Sequence, residues 1–504
     1  MNKFLGIDLG TTGLKATILT EEGKIIASAY VEYPILSPEP GYAEQDPLEW
    51  WNGLISNCRE LKQKYPADFK EIAGIGICGQ MHTQVYLDKN NNILRPAITW
   101  MDLRSKEIAD RINSDEKAKA LVFAETQNFT STTYTAPQIR WVIENQPDVW
   151  AKVSKILIAK DYVKFRLTGE MVTDTSDASG TLFFNVKERM WSREMFDFFG
   201  VPRAAFPEAR PSDVIMGCVS QEASALTGLK EGIPVANGSS DNSASALGAG
   251  MTNPGQVTLI IGTAGVVSVC SDRPLVDPEF RTLCWNYSLR DRWATVGITQ
   301  TAGESLNWFK NAFDRNKDNL SSGDIFEQYN QDIAEVPDGS GGVIFLPYLN
   351  GERTPYWDPA ARGVFYGLNL TTEKTHFIKA IMEGVSFALR NNIEAVESLG
   401  IKINQVRAVG GGLKSKVWLE TLGKILRIPI ATVSVPDTGN LGNMLLCGKA
   451  LGVFSSYEEA VKDLVSTDQE IFFDNDTPVY EKQYQIFLQL YRQLQQTFRL
   501  SLSN

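Results

Sequence analysis

Two Gly/Thr turns, half a chain apart, constrain this fold more than any other feature. IDLGTTGLKATI occupies residues 7–18, and IIGTAGVVSVC repeats its outline at 260–270. Gly10 and Gly262 lie 252 residues apart in a chain of 504, the spacing of a duplicated unit. Each copy is an apolar run, a tight turn and a second β-rich run, which reads as a β-hairpin whose turn presents backbone N–H groups. Such a turn can hold phosphate. Asp8 stands two residues before the first turn, where the second copy has Ile260. One acid between two phosphate-type turns implies a phosphoryl-transfer site between unequal lobes, with Asp8 holding Mg²⁺ through water. The plainer alternative is a hairpin whose glycines only permit the turn.

A chain of this length exceeds one hydrophobic core, so two large domains are expected, 1–246 and 247–504. The boundary falls in GIPVANGSSDNSASALGAGM (232–251), where a strand, a polar turn and a small-residue helix follow in order. Sixty acidic against 49 basic side chains leave a net charge of −11, which argues against nucleic acid as a partner. The six cysteines show no C-x-x-C spacing, as expected of free thiols in a reducing cytoplasm rather than of a metal site. No apolar stretch reaches about 18 residues and no signal segment opens the chain, so a cytoplasmic protein without membrane contact is expected.

Residues 1–33 read as a three-stranded meander. Asp46-Pro47-Leu48-Glu49 then supplies an N-cap acid, a proline at the first helical position and a capping-box glutamate. EIAGIGICGQMH (71–82) reads as a buried strand that delivers a polar loop. HFIKAIMEGVSFALRNNIEAVESLG (376–400) is apolar at helical spacing, and QVRAVGGGLKSKVWLETLGKIL follows it as strand, glycines and helix, with the glycines at the helix N-terminus. Strands alternating with helices in both halves predict an α/β fold with a mixed sheet in each lobe, and YEKQYQIFLQLYRQLQQTF reads as an outer helix.

Four groups of residues carry chemistry. Asp241, in GSSDN, is placed to accept a proton from an attacking hydroxyl; alternatively it caps the SASALGAGM helix. Gln80, Met81 and His82 combine donors, an acceptor and an apolar wall, as a polyol site requires. Trp100 and Asp102, in WMDLR, offer an aromatic plane and an acid to a sugar face, or Asp102 merely pairs with Arg104. The glycines 410–412, with Gly411 and Gly412 ahead of a helix, would let a nucleotide approach the backbone, although the Walker spacing is absent. GERTP (351–355) reads as an interlobe loop with Arg353 paired to a carboxylate.

Taken in order, IDLGTTGLKA, GQMH, TWMDLR, GSSDNSA, IGTAG, LPYLNGERTPYWDPAARGVFYGL and VGGGLKSKVW resemble the FGGY carbohydrate kinases over nearly the whole chain. The resemblance implies two ribonuclease-H-like (actin-like ATPase) domains around a cleft, with ATP against the second and the sugar against the first. It implies that Asp241 is the catalytic base and that Asp8 serves Mg·ATP. Thr11, Thr12, Lys15, Gly262, Thr263, Gly303, Asn307, Gly411 and Gly412 would then meet the nucleotide, and Met81, His82, Asp241 and Asn242 the sugar. GQMH with Asp241-Asn242 is most similar to members acting on D-xylulose, whereas YPILSPEPGYAEQDP and DRPLVDPEFRTLCW are similar to those acting on gluconate. Thr83 replaces the glycine common after the histidine, and TGNLGNMLLCGKALG departs from the family's LGAA pattern. The resemblance is compatible with a homodimer. The rival class is an actin-like assembly ATPase, which would share the two turns but give GQMH, WMDLR and SSDN no reason to converge.

Overall fold

The computed structural model describes residues 2–314, 322–471 and 477–500. The first turn closes as a hairpin. Strands β1 (Lys3–Leu9), β2 (Gly13–Thr20) and β3 (Ile25–Glu32) form the meander, and Gly10 N–H donates to Gly13 O at 3.0 Å across its tip. β1 is apolar on both faces because β4 (Ile72–Gly79) lies parallel on its other side and helices cover the sheet. The sheet continues outward with β6 (Pro234–Ala236) and β5 (Ile215–Cys218), and the short β7 (Ser239–Ser240) also pairs with β4.

Helix α1 (Pro47–Lys64) begins where the sequence places it: the Asp46 carboxylate accepts Leu48 N–H at 2.9 Å, with Pro47 at the first helical position. Its buried face, Trp50, Trp51, Leu54, Cys58 and Leu61, packs on β2 and β3. A small four-stranded sheet (Glu44–Gln45, Gln84–Leu87, Ala97–Ile98 and Lys155–Ile158) extends this lobe above the loop after β4. Helix α2 (Asp241–Gly248) follows β7 and leads to the second lobe.

That lobe repeats the plan. β8 (Gln256–Ile261) and β9 (Gly265–Ser271) form the second hairpin, with β10 (Leu283–Asn286) and β11 (Trp293–Thr299) beyond β9. β12 (Gln405–Val409) lies parallel to β8, followed by β13 (Ile430–Val433) and β14 (Thr467–Ile471). Each half therefore holds an antiparallel hairpin whose first strand has a parallel neighbour on the other side, β4 beside β1 and β12 beside β8.

The helices of this lobe are α3 (Gly303–Phe313), α4 (Ser322–Asp332), α5 (Lys374–Glu397), α6 (Lys416–Leu426), α7 (Thr438–Ala450) and α8 (Pro478–Leu500). Gly411–Lys414 forms a separate 3₁₀ turn, so the glycines do not start α6; Ser415 caps it by accepting Trp418 N–H at 3.1 Å. α7 crosses back onto the first sheet, against α2, β1 and β4. There Asn443 Nδ2 donates to Ile7 O (2.9 Å) and Asn440 Nδ2 to Thr17 Oγ1 (3.1 Å). The strands of the first large sheet end at Ser240 and those of the second begin at Gln256, but the packing of α7 crosses between them. α8 buries Tyr480, Tyr484, Phe487 and Tyr491 and covers the outside of the second lobe. Among the described residues, no helix is long and apolar enough to cross a membrane.

Candidate active site

Strand register brings the two acids together. Asp8 on β1 and Ser239 on β7 both pair with Cys78 of β4, which puts Asp241 two residues beyond the level of Asp8. Gly238 turns the chain between β6 and β7 at φ +73°, and a Cβ there would overlap Ile77 O, so this approach admits only glycine. The cap of α2 is Ser240, whose Oγ accepts Ser243 N–H, and not Asp241. Asp241 is thus freed from capping. Its Oδ1 accepts Asn242 N–H at 2.7 Å, and no cation pairs with its carboxylate among the described residues. Burial, and then the charge of Asp8, raise its pKa to about 7.

Asp8 is raised to about 6, by burial and then by Asp437. The Cys78 thiol donates to its Oδ1 at 3.4 Å. Lys15, directly opposite Asp8 on β2, pairs with Asp437 at 2.8 Å, and its charge acts on Asp8 in the opposite sense to that of Asp437.

Asp241 and Asn242 open into a cavity of about 190 Å³. Thr11, Met81, His82, Trp100, Ser131, Thr133 and Tyr134 complete its first-lobe wall. Val266, Leu283, Trp285, Ile298, Arg353 and Trp357 close it from the second lobe, so the pocket is shared by both lobes and does not lie against the first alone. His82 holds a positive φ of 66°, and its Nδ1 lies 2.6 Å from Gly180 O. A carbonyl can only accept, so the ring carries its proton on Nδ1 and leaves Nε2 as an acceptor. Burial lowers its pKa to about 4, which keeps it neutral at ordinary pH. Tyr134 meets the ring edge-on at 5.1 Å and Trp285 tilts against it at 5.8 Å. Asn242 Oδ1 accepts Ser268 Oγ–H at 3.2 Å across the lobes, leaving its amide N–H groups as donors.

Two expected sugar contacts are placed elsewhere. Asp102 is fully buried; both oxygens bind Arg104, and Oδ2 also accepts Ala43 N–H at 2.6 Å. This saturated ion pair is turned away from the cavity. Gln80, also buried, donates to Gln45 Oε1 (2.8 Å), and Gln45 in turn donates to Thr11 O (2.6 Å). Gln80 therefore braces the first turn from behind. Trp100 does reach the cavity, with its Nε1 donating to Thr11 Oγ1 at 3.0 Å. Arg353 has no carboxylate partner among the described residues, contrary to the pairing expected for it; its guanidinium sits 5.8 Å from the centre of the Trp100 ring.

A second cavity, about 530 Å³, lies wholly in the second lobe. Gly262, Thr263, Gly303, Asn307, Gly411 and Gly412 line it together. The second turn also starts α3: Gly303 N–H donates to Gly262 O (2.8 Å) and Ala302 N–H to Thr263 O (2.8 Å). A Cβ on Gly303 would come within 2.6 Å of Gly262 O, so the helix can approach the turn only through glycine. Phe326, Tyr329, Asn330, Met382 and Trp418 supply a largely apolar, aromatic wall that suits a nucleobase. Thr11 faces the smaller cavity instead, Thr12 is exposed at the hairpin tip and lines neither cavity, and no residue of α7 lines the larger one.

The N-terminal domain model of the FGGY family of carbohydrate kinases matches residues 3–248, and its C-terminal domain model matches 257–451. The chain belongs to the FGGY family of carbohydrate kinases. A xylulose kinase of Lactococcus lactis subsp. lactis is 34% identical over 98% of this chain and 97% of its own length. A gluconokinase of Bacillus subtilis is 29% identical over 98% and 96%. The crystal structure of a xyloylose kinase from Brucella ovis superposes with a TM-score of 0.91 at 32% identity, covering 98% of this chain and 100% of that one. The two lobes are accordingly the two actin-like, ribonuclease-H-like domains of an FGGY kinase, and the protein is a xylulokinase-like carbohydrate kinase that takes its phosphate from ATP.

Tyr134, Trp285 and Trp357 on the sugar side, and Phe326, Tyr329, Asn330 and Trp418 on the nucleotide side, escaped the sequence reading, while Arg353 was noticed but given a carboxylate partner instead of a place in the cavity. They come from segments far apart in the chain. Only GERTP carried a signal, a charged motif in an otherwise apolar, Pro/Gly-rich stretch.

Proposed function

We propose that this kinase transfers the γ-phosphate of ATP to a hydroxyl of D-xylulose, giving D-xylulose 5-phosphate. The observation that carries the reading is Asp241, an unpaired carboxylate with a pKa of about 7 on the wall of a cavity too small for a drug-sized ligand (roughly 300 Å³ or more) and suited to a small polyol. Asp241 takes the proton as the sugar hydroxyl attacks the γ-phosphorus in line. His82 Nε2 accepts from a sugar hydroxyl, Asn242 donates to a sugar oxygen, and the aromatic side chains cover the C–H faces. The nucleotide lies in the larger cavity, its phosphates directed by the second turn toward the first. Both lobes line the sugar cavity, so their closure would exclude water and suppress ATP hydrolysis.

Mg²⁺ fits this arrangement as a metal shared with phosphates and water. Among the described residues no cluster of three ligating side chains forms a protein cage, yet Asp8 presents a carboxylate without a cation partner. Asp8 would hold it through water, and the ion would neutralise phosphate charge.

The xylulose reading rests on GQMH with Asp241-Asn242 and on relatives named xylulose kinases. The gluconokinase relative supports D-gluconate as a second acceptor. A coupled assay with D-xylulose, D-gluconate, D-ribulose, L-xylulose and glycerol tests this. D-Xylulose should exceed each of the others at least about tenfold in kcat/KM, a difference of roughly 1.4 kcal/mol in transition-state binding. Preference for D-gluconate would replace the xylulose assignment.

A further inference from the structure

Among the described residues Arg353 is the one cation lining the sugar cavity, and it is brought there by the second lobe. Among the described residues no carboxylate pairs with its guanidinium within 4 Å, and none of its guanidinium N–H groups has a protein acceptor; only its backbone N–H is bonded. Its backbone neighbour Glu352 is no substitute: that carboxylate accepts Gln300 N–H (2.9 Å), Arg353 N–H (2.7 Å) and Thr299 Oγ–H (3.3 Å). Arg353 is half-buried on the wall of the cavity, so its five guanidinium donors are free of protein acceptors and face the space a substrate would fill.

Its place in the cavity gives the unmet donors a direction. The Arg353 charge acts on His82 and Tyr134, whereas Asp241 feels Asp8. Arg353 lies over Trp100, beside the His82–Tyr134 wall. A sugar whose reacting hydroxyl is at Asp241 therefore extends its other end toward Arg353. What suits a planar fork of donors is an oxygen that only accepts, a ketone or carboxylate, in preference to a hydroxyl.

We propose that Arg353 is the specificity residue for the end of the acceptor remote from phosphoryl transfer, selecting a carbonyl or carboxylate oxygen there over an alcohol. The inference deepens the proposed function and rests on its placement of the reacting hydroxyl at Asp241. It also accounts for relatives that act on a ketose and on an aldonate, since both classes carry such an oxygen. Because the second lobe supplies Arg353, the contact forms only with both lobes around the substrate.

The test compares wild type, Arg353→Gln and Arg353→Lys with D-xylulose and D-gluconate as acceptors, with xylitol, the alcohol that lacks the ketone, as a competitor, and with ADP affinity as the control. Arg353→Gln should raise KM for D-xylulose at least about tenfold, as loss of a charged hydrogen bond does, with kcat changed less than about threefold. Its inhibition constant for xylitol should move less than about threefold, Arg353→Lys should fall between, and ADP affinity should hold. Equal losses for xylulose and xylitol, or a fall in kcat with KM unchanged, would overturn the proposal. If wild type prefers D-gluconate and Arg353→Gln raises its KM, the xylulose assignment falls while Arg353 keeps its role.

Discussion

Asp8 lies on β1 and Asp241 opens α2 directly after β7, two strands that flank β4 on opposite sides, with Asp8 and Ser239 both in register with Cys78. Their separation in sequence is 233 residues, yet the charge of one raises the pKa of the other. The electrostatic coupling gives a direct handle on the base. Metal binding at Asp8 would offset its charge and favour the ionised, proton-accepting form of Asp241.

The pH profile should report this coupling. Asp241 accepts a proton only when ionised, and its pKa is raised to about 7, so at limiting Mg²⁺ kcat/KM for the sugar should rise with pH through about 7 and then level, and added Mg²⁺ should lower that midpoint. Asp8→Asn removes the like charge and should move that midpoint to lower pH, as well as increasing the Mg²⁺ needed for turnover. His82, lowered to about 4, should add no inflection above pH 5. A profile flat from pH 5 to 8 would contradict the assignment of Asp241.

Gly303→Ala should separate the two cavities. The new Cβ would meet Gly262 O and press α3 away from the second turn, an overpacking cost of about 1–3 kcal/mol. Titration calorimetry should show ADP binding weakened by a comparable amount, while KM for the sugar changes less than about twofold. Unchanged ADP affinity would remove the second turn from the nucleotide site.

Below Asp241 lies a fully buried ionic cluster. Lys160 Nζ sits 2.8 Å from Asp161, 2.8 Å from Asp174 and 2.7 Å from Asp177, and Ser176 Oγ links Asp174 to Ser240 N–H. Lys160→Met leaves buried carboxylates uncompensated and should destabilise the fold by about 3–5 kcal/mol in denaturant titrations. A loss below about 1 kcal/mol would show that the cluster is not needed to hold the Ser240–Asp241 turn.

The duplicated turns were legible because a tight hairpin needs small residues at its tip, and one such hairpin stands in each of the two large sheets. The glycines of the larger cavity were legible for the same reason. Asp102 was not, since an acid two residues from an arginine looks alike whether it faces a sugar or, as here, its own Arg104. Arg353 was misread as ion-paired because the absence of a partner is a property of the assembled cavity. The destination of α7 was also hidden: Asn440 and Asn443 look like ordinary helix polars until Thr17 and Ile7 of the other lobe appear opposite them.

The central claim is that Asp241 activates a sugar hydroxyl for transfer from ATP. ADP release by wild type and Asp241→Asn, measured with and without saturating D-xylulose at pH 8, tests it most directly. Wild-type release should depend on the sugar, and the variant should be slower by about 10²–10⁴ while both still bind ADP. Sugar-independent ATP turnover, as in an assembly ATPase, or near-normal sugar phosphorylation by Asp241→Asn would contradict the account.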